Sequence, residues 1–269
     1  MKCLVFYNSK SEENIRVLER VVRLLKLHSI SVSTICVLED SKGVPYADFA
    51  VSIGGDGTVL WASHHIVDMD IPLIAVKTGG LGFLSSVEVS DIEDFIEMYL
   101  NRRYKVVLRS MLKISYDGNI FKALNDCVIK SASSRIFYSD VFYSDELISS
   151  YFSDGLIFST PTGSTAYNLS AFGPIVHPET NILILTPISS HTLTHRSLIL
   201  PYTSLIRVYV RQRDPFRKEN IFVSIDGQIN FQIEKGIEIS FYEKKLKSIV
   251  SENYSYFDIL RKKLSWGER

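Results

Sequence analysis

The sequence points to an α/β plus all-β protein, an N-terminal parallel-sheet α/β domain followed by a C-terminal β-sandwich domain. Three observations carry this. Strand-like and helix-like segments alternate through residues 1–100, the order of a parallel sheet covered by helices. After Asn101-Arg102-Arg103, strand-like runs follow one another. Helical spacing returns only in the last segment, Tyr256 to Leu264.

The elements follow in order. Lys2 to Tyr7 is a short apolar strand. Glu12 to Leu27 carries Ile15, Leu18, Val22 and Leu25 as a helical stripe. Val32 to Val37 is β-branched and reads as a strand, as does Phe49 to Ile53. Val59 to Val67 is the next helix and Leu73 to Val76, after Pro72, the next strand. Ser90 with Glu93 predicts a capping box that opens a helix to about Leu100. Leu112 to Tyr116 and Ile120 to Leu124 flank Asp117-Gly118-Asn119, a hairpin signal. Further strands are expected at Ile136 to Tyr143, Gly155 to Ser159, Ile182 to Leu185, Leu205 to Val210, Ile221 to Ile225 and Gly236 to Tyr242, with a turn at Asp226-Gly227. The expected domains are residues 1–100 and 101–249, with 250–269 packing back on the first.

Composition narrows the function classes. Hydrophobic residues make up 46% of 269, enough for a full core. The 30 basic and 30 acidic residues cancel, so no basic field for nucleic acid or an anionic membrane is expected. Arg211-Gln212-Arg213 and Arg261-Lys262-Lys263 read as solvated faces. Cys3, Cys36 and Cys127 have neither metal nor disulfide spacing, which favours a reducing compartment. The apolar run after Lys2 ends at Asn8, short for a secretory signal, and no run reaches the length of a membrane span. A cytoplasmic protein is expected.

Gly54-Gly55-Asp56-Gly57-Thr58 joins the strand ending at Ile53 to the helix beginning at Val59. Glycines let the backbone turn sharply and approach a ligand. A strand-to-helix turn aims N–H groups outward at a helix start, where anions are favoured. An aspartate inside such a loop repels phosphate unless it binds a metal ion or takes a proton. The combination suggests phosphoryl transfer rather than simple nucleotide binding.

A second concentration is Asp154-Gly155-Leu156-Ile157-Phe158-Ser159-Thr160-Pro161-Thr162-Gly163-Ser164-Thr165-Ala166-Tyr167-Asn168-Leu169-Ser170. A strand runs into a hydroxyl-rich loop and then a helix at Ala166. Each hydroxyl alone suits capping, by Ser164 or Thr165. Together, with a tyrosine, they suit a polyhydroxylated ligand equally well. Asn125-Asp126 ends a predicted strand and suits a strand-end cap, the hydroxyls of a ribose or the amide edge of a purine. His191 and His195 have metal spacing only on a helix, and Pro187, Thr192, Thr194 and Pro201 argue for a loop. Trp61 and Cys127 read as packing residues. Gly79-Gly80-Leu81-Gly82 does not match the dinucleotide fingerprint.

These runs occur in one order: Gly54 to Thr58, Gly79-Gly80-Leu81-Gly82-Phe83-Leu84, Asn125-Asp126, Thr160 to Tyr167 and Asp226-Gly227-Gln228. With them, and with the closing Leu260 to Leu264, the chain resembles the NAD kinase family, ATP-dependent enzymes that make NADP. Diacylglycerol and sphingosine kinases and phosphofructokinases carry a first loop like this one; the Thr162-to-Tyr167 run is much more specific.

The resemblance implies Asp56 as the base that takes the proton of the adenosine-ribose 2′-hydroxyl as that oxygen attacks the γ-phosphate of ATP. A free aspartate, with a pKa near ~3.9, is a weak base at neutral pH, which suffices where phosphoryl transfer asks more for alignment than for proton removal. Gly57 and Thr58 would lie beside the substrate. Asn125 and Asp126 match the pair that holds the adenosine part of NAD. Asp154 matches an acid that binds the nicotinamide half. Thr165, Ala166, Tyr167 and Ser170 match the lining of the NAD site, with Tyr167 placed to stack on a ring, and Gln228 matches a glutamine near the dinucleotide. Mg²⁺ or another divalent metal is implied as cofactor, with Asp56 as a candidate contact and no dedicated metal ligands. The partners implied are NAD and ATP, in a homo-oligomer (dimer or tetramer), with no nucleic acid and no membrane.

Two departures stand out. Tyr151-Phe152-Ser153 replaces a region that is often basic shortly before the acid, and Lys77 and Gly80 stand where many members have asparagine and arginine. The rivals are a lipid kinase of the wider superfamily and a non-catalytic NAD-binding sensor. The expectation is that Asp56 and the turn near Thr165 share one cleft between the domains.

Overall fold

The computed structural model describes residues 1–39, 43–80, 82–132, 136–192, 194–203, 205–211 and 220–267. Leu81 of the second glycine-rich run and Gln212 and Arg213 of a basic cluster lie outside the described residues. The chain divides into two units, Met1–Leu108 with Leu246–Arg269, and Arg109–Lys245.

The first unit holds a seven-stranded sheet in the order Ser31–Cys36, Lys2–Tyr7, Phe49–Gly54, Leu73–Lys77, Leu246–Val250, Lys105–Arg109, with Val87–Glu88 paired to Leu73–Lys77. The pairs from Ser31–Cys36 through Leu246–Val250 are parallel. Phe49–Gly54 is buried along its whole length, as expected for a parallel strand covered on both faces. The helix Glu12–Leu27 starts at Ser11, whose hydroxyl accepts from Glu13 N. It buries Val17, Val21 and Leu25. The stripe expected from Ile15, Leu18 and Val22 is only partly covered. Both series satisfy helical spacing, and the sheet takes the one at the centre of the apolar arc.

The helix Ile92–Leu100 begins after a 3-10 turn, Val89–Asp91, without a side-chain cap. The expected capping box does not form: Ser90 donates to Asp91 Oδ1, and Glu93 pairs with Arg20 across to the first helix. The strand Leu246–Val250, absent from the sequence reading, pairs with Leu73 and Ile74 inside the sheet. Lys247 and Ser248 break its apolar run, so periodicity does not announce it.

The second unit is two six-stranded antiparallel sheets. One runs Glu146–Ser153, Phe137–Tyr143, Ile206–Arg211, Ile237–Phe241, Leu112–Tyr116, Asn119–Ala123; the other Leu198–Pro201, Ile182–Ile188, Gly155–Ser159, Asp126–Ser131, Ile221–Ile225, Ile229–Ile233. Leu112, Ile114, Phe137, Val141 and Val208 of the first share a core with Ile129, Phe158, Leu183 and Val223 of the second. Asp117 (φ 49°) and Gly118 (φ 77°) form the expected hairpin turn. The three cysteines are free and buried. No described helix is long and apolar enough to cross a membrane.

Candidate active site

In the first unit, the strand Phe49–Gly54 ends in the glycine turn and the helix Asp56–Ile66 begins at once. Gly54 has φ +149°, and a Cβ there would meet Thr58 Oγ1 at 2.3 Å. Only glycine fits both constraints. Gly55 is the N-cap and supplies no side-chain hydrogen bond. Glycine at the N-cap brings no side chain to the helix start, and the helix field there favours an anion.

Asp56 is the first residue of that helix. Its Oδ2 accepts from Phe83 N at 2.9 Å and its Oδ1 from Leu84 N at 3.1 Å. The glycine-rich run thus serves the first loop. A Cβ on Gly82 would lie 2.2 Å from Asp56 Oδ1. Asn14, 7% exposed, ties the approach to that run: its Oδ1 accepts from Thr78 and its Nδ2 donates to Asn8 O. Lys77, one of the departures from the family pattern, pairs with Glu88 at 2.9 Å. Lys263, read from sequence as part of a solvated face, places its Nζ 3.9 Å from Asp56 Oδ2 and 4.3 Å from the centre of the Phe83 ring.

The second unit holds a cavity of about 320 Å³ lined by Asn125, Asp126, Lys130, Tyr167, Ser224 and Asp226, among others. Strand alternation builds one wall. Asp126, Val128 and Lys130 face the cavity, while Cys127 and Ile129 of the same strand enter the core. Asp226, 7% exposed at φ 50°, accepts from Leu124 N, Asn125 N and Asp126 N at 2.8–3.0 Å. It fixes the backbone of the Asn125-Asp126 pair. Burial, and next the Asp226 carboxylate, push the Asp126 carboxyl up to about 7. Near neutral pH this carboxyl therefore samples both a proton-donating and a proton-accepting form.

The hydroxyl-rich loop mostly satisfies itself. Thr160 Oγ1 donates to Leu124 O and accepts from Gly163 N. Ser164 Oγ donates to Val176 O and accepts from Val176 N. Thr165 Oγ1 donates to Thr162 O. Neither Ser164 nor Thr165 caps the short helix Tyr167–Ser170, which follows a 3-10 turn, Thr162–Thr165, without a side-chain cap. Asn168, fully buried, donates to Ser164 O and Pro174 O and accepts from Thr186. The loop's polar groups hold its shape, and Ala166 and Tyr167 are what it presents to the cavity.

Of the residues expected at a site, Asn125, Asp126, Ala166 and Tyr167 meet around this cavity. Thr165, Asp154, Ser170 and Gln228 are not among its lining; the last three are exposed. Asp56 and Gly57 belong to the first unit. Two features lie beyond the sequence expectations: Lys130, which the alternation from Asp126 marks, and the anchoring contacts of Asp226, which the sequence offers as a turn residue and as part of the Asp226-Gly227-Gln228 run. His195 sits in a loop between Ser149 and Ser190, hydrogen-bonded to both at 3.1 and 3.0 Å.

The ATP-NAD kinase N-terminal domain profile matches residues 41–104 and the ATP-NAD kinase C-terminal domain profile residues 124–249. An NAD kinase of Geobacter sulfurreducens is 38% identical over 231 residues, 83% of this chain and 80% of that protein. One from Lachnoclostridium phytofermentans is 32% identical, covering 97% of this chain and 98% of its own. Among solved structures, yeast NADH kinase complexed with NADH superposes with a TM-score of 0.87 at 22% identity, over 100% of this chain and 89% of the other. An NAD kinase from Archaeoglobus fulgidus in complex with ATP gives 0.81 at 22%, over 98% and 99%.

Proposed function

The chain belongs to the NAD kinase family of phosphotransferases, and from that premise we propose how its residues divide the reaction. ATP gives its γ-phosphoryl group to the 2′-hydroxyl of the adenosine ribose of NAD. A bond forms between that oxygen and phosphorus, the bond from phosphorus to ADP breaks, and the proton of the hydroxyl passes to Asp56. What supports Asp56 is its position on the first turn of a helix whose start favours anions, with each carboxylate oxygen held by one backbone N–H. Each oxygen keeps acceptor capacity for the proton.

The observation that carries the substrate reading is the cavity lined by Asn125, Asp126, Ala166 and Tyr167, the residues that the family resemblance assigns to NAD. Asn125 and Asp126 hold the adenosine part and Tyr167 stacks on a ring. Asp154, Thr165, Ser170 and Gln228 complete the proposed set, with Asp154 toward the nicotinamide half and Gly57 beside the phosphates. Mg²⁺ fits as an ion carried by ATP: a hard cation commonly takes one or two carboxylates plus substrate phosphates, and Asp56 is the carboxylate of the phosphate loop. Bound there, it would neutralise charge on the transferred group. A cytoplasmic setting agrees with three free cysteines, and assembly as a dimer or tetramer is part of the same reading.

The test is incubation of the full chain with NAD, ATP and Mg²⁺, followed by an assay for NADP. Formation of NADP is expected. Binding of NAD without turnover would instead make the protein a sensor.

A further inference from the structure

Lys263 stands on the helix Tyr256–Leu264, three positions after Leu260, which is buried at 6%. That spacing puts both on one helix face. Its neighbour Arg261 pairs with Asp258 on the exposed side. Lys263 instead lays its ammonium over Phe83, the residue whose N–H holds Asp56, and within 3.9 Å of Asp56 Oδ2. Both side chains are 29% exposed. The separation exceeds a charge-assisted hydrogen bond, which runs about 2.7–2.9 Å, so the contact is Coulombic. Among the described residues the ammonium makes no hydrogen bond.

The arrangement meets a physical need. The glycine turn and helix start attract a polyphosphate, while Asp56 on the same turn repels it. A cation beside that carboxylate cancels the repulsion without occupying the N–H groups. We propose that Lys263 is a positioning residue of the phosphate loop, offsetting the Asp56 charge so that a polyphosphate settles on the Gly54–Thr58 turn. This rests on the kinase reading above and adds to it a residue distant in sequence.

The experiment is equilibrium binding of ATP, by calorimetry, to the full-length chain and four variants: Lys263→Met, Lys263→Arg, Asp56→Asn and Asp56→Asn with Lys263→Met. Methionine keeps the apolar stem on Phe83 and removes the charge; Lys263→Gln serves as the second neutral variant if the first does not fold. Loss of the cation beside an intact Asp56 is expected to weaken ATP about tenfold, or about 1.4 kcal/mol. Arginine should restore binding to within about threefold. Once Asp56 is neutral, removing Lys263 should change ATP affinity by less than about threefold. NAD affinity should stay the same throughout.

A merely structural role would weaken ATP equally in both Asp56 backgrounds, and that outcome overturns the proposal, as does unchanged binding in Lys263→Met. A wild-type chain that binds no ATP overturns both this proposal and the kinase reading. ATP binding with the expected coupling but no NADP formed leaves Lys263 in place and overturns the kinase reading alone.

Discussion

Asp56 accepts one backbone N–H on each oxygen. Asparagine would keep the shape but turn an NH₂ toward one of those N–H groups and remove the proton acceptor. Asp56→Asn should lower turnover ~100-fold or more, the usual scale for losing a general base, with NAD affinity kept; near-normal turnover would reject the assignment. Tyr167 is 43% exposed on the cavity wall, so its ring is available to a ligand rather than committed to the core. Tyr167→Ala should raise the KM for NAD far more than that for ATP, and equal changes would remove it from the NAD site. Asp126 makes a prediction about pH. Its folded carboxyl titrates at about 7, raised by burial and then by Asp226, while an unfolded aspartate titrates near ~3.9. Between those values the folded state keeps a proton that the unfolded state has lost. This carboxyl's contribution is therefore complete below about 4 and drains away as pH rises to about 7, by at most about 1.4 kcal/mol per pH unit. Thermal melts of wild type and Asp126→Asn from pH 4 to 8 should show the wild type losing stability relative to the variant as pH rises; parallel curves would sink the claim.

The loop carrying Phe83 and Leu84 works through its backbone, and Gly82 lets it approach. A Cβ there would press on Asp56 Oδ1 at 2.2 Å. That atom ends a short side chain, so it can swing away, but only by leaving its N–H donors. Gly82→Ala should cut turnover about 10- to 100-fold with little change in melting temperature. Turnover close to wild type would show that the carboxylate does not need these donors. This dependence explains what was legible. The helices Glu12–Leu27 and Tyr256–Leu264 and the strand Phe49–Gly54 were readable because apolar spacing is local. The glycine runs were readable as places of close approach. What Gly82 approaches was not, because Asp56 lies 27 positions from Phe83. Lys130 was hidden for another reason: a lone lysine in a strand means little until Asp126 is known to face a cavity. Asp226 read as a turn residue, and its three N–H contacts reach back 100–102 positions. Glu146–Ser153 and Ile229–Ile233 went unread because polar residues interrupt their apolar runs.

The first unit is discontinuous in sequence, and that carries a prediction of its own. Leu246–Val250 lies between Leu73–Lys77 and Lys105–Arg109 in the seven-stranded sheet. A chain ending at Lys245 would lose an interior strand and bare two edges, which invites association with other chains. It would also lose Leu246, Ile249, Val250 and Leu260, exposed by 1%, 1%, 2% and 6%. Burying a large apolar side chain contributes about 1.5–3 kcal/mol, so several together rival the about 5–15 kcal/mol by which a whole domain is stable. The second unit keeps every strand of its two sheets and its own core. The truncated chain should therefore lose most of its helical circular dichroism while a protease leaves a resistant fragment near residues 109–245. A truncated chain with full helical signal and no preferential cleavage of residues 1–108 would show that the returning segment is dispensable. The same segment delivers Lys263 to Asp56, so the strand that completes the sheet also leads the cation to the phosphate loop.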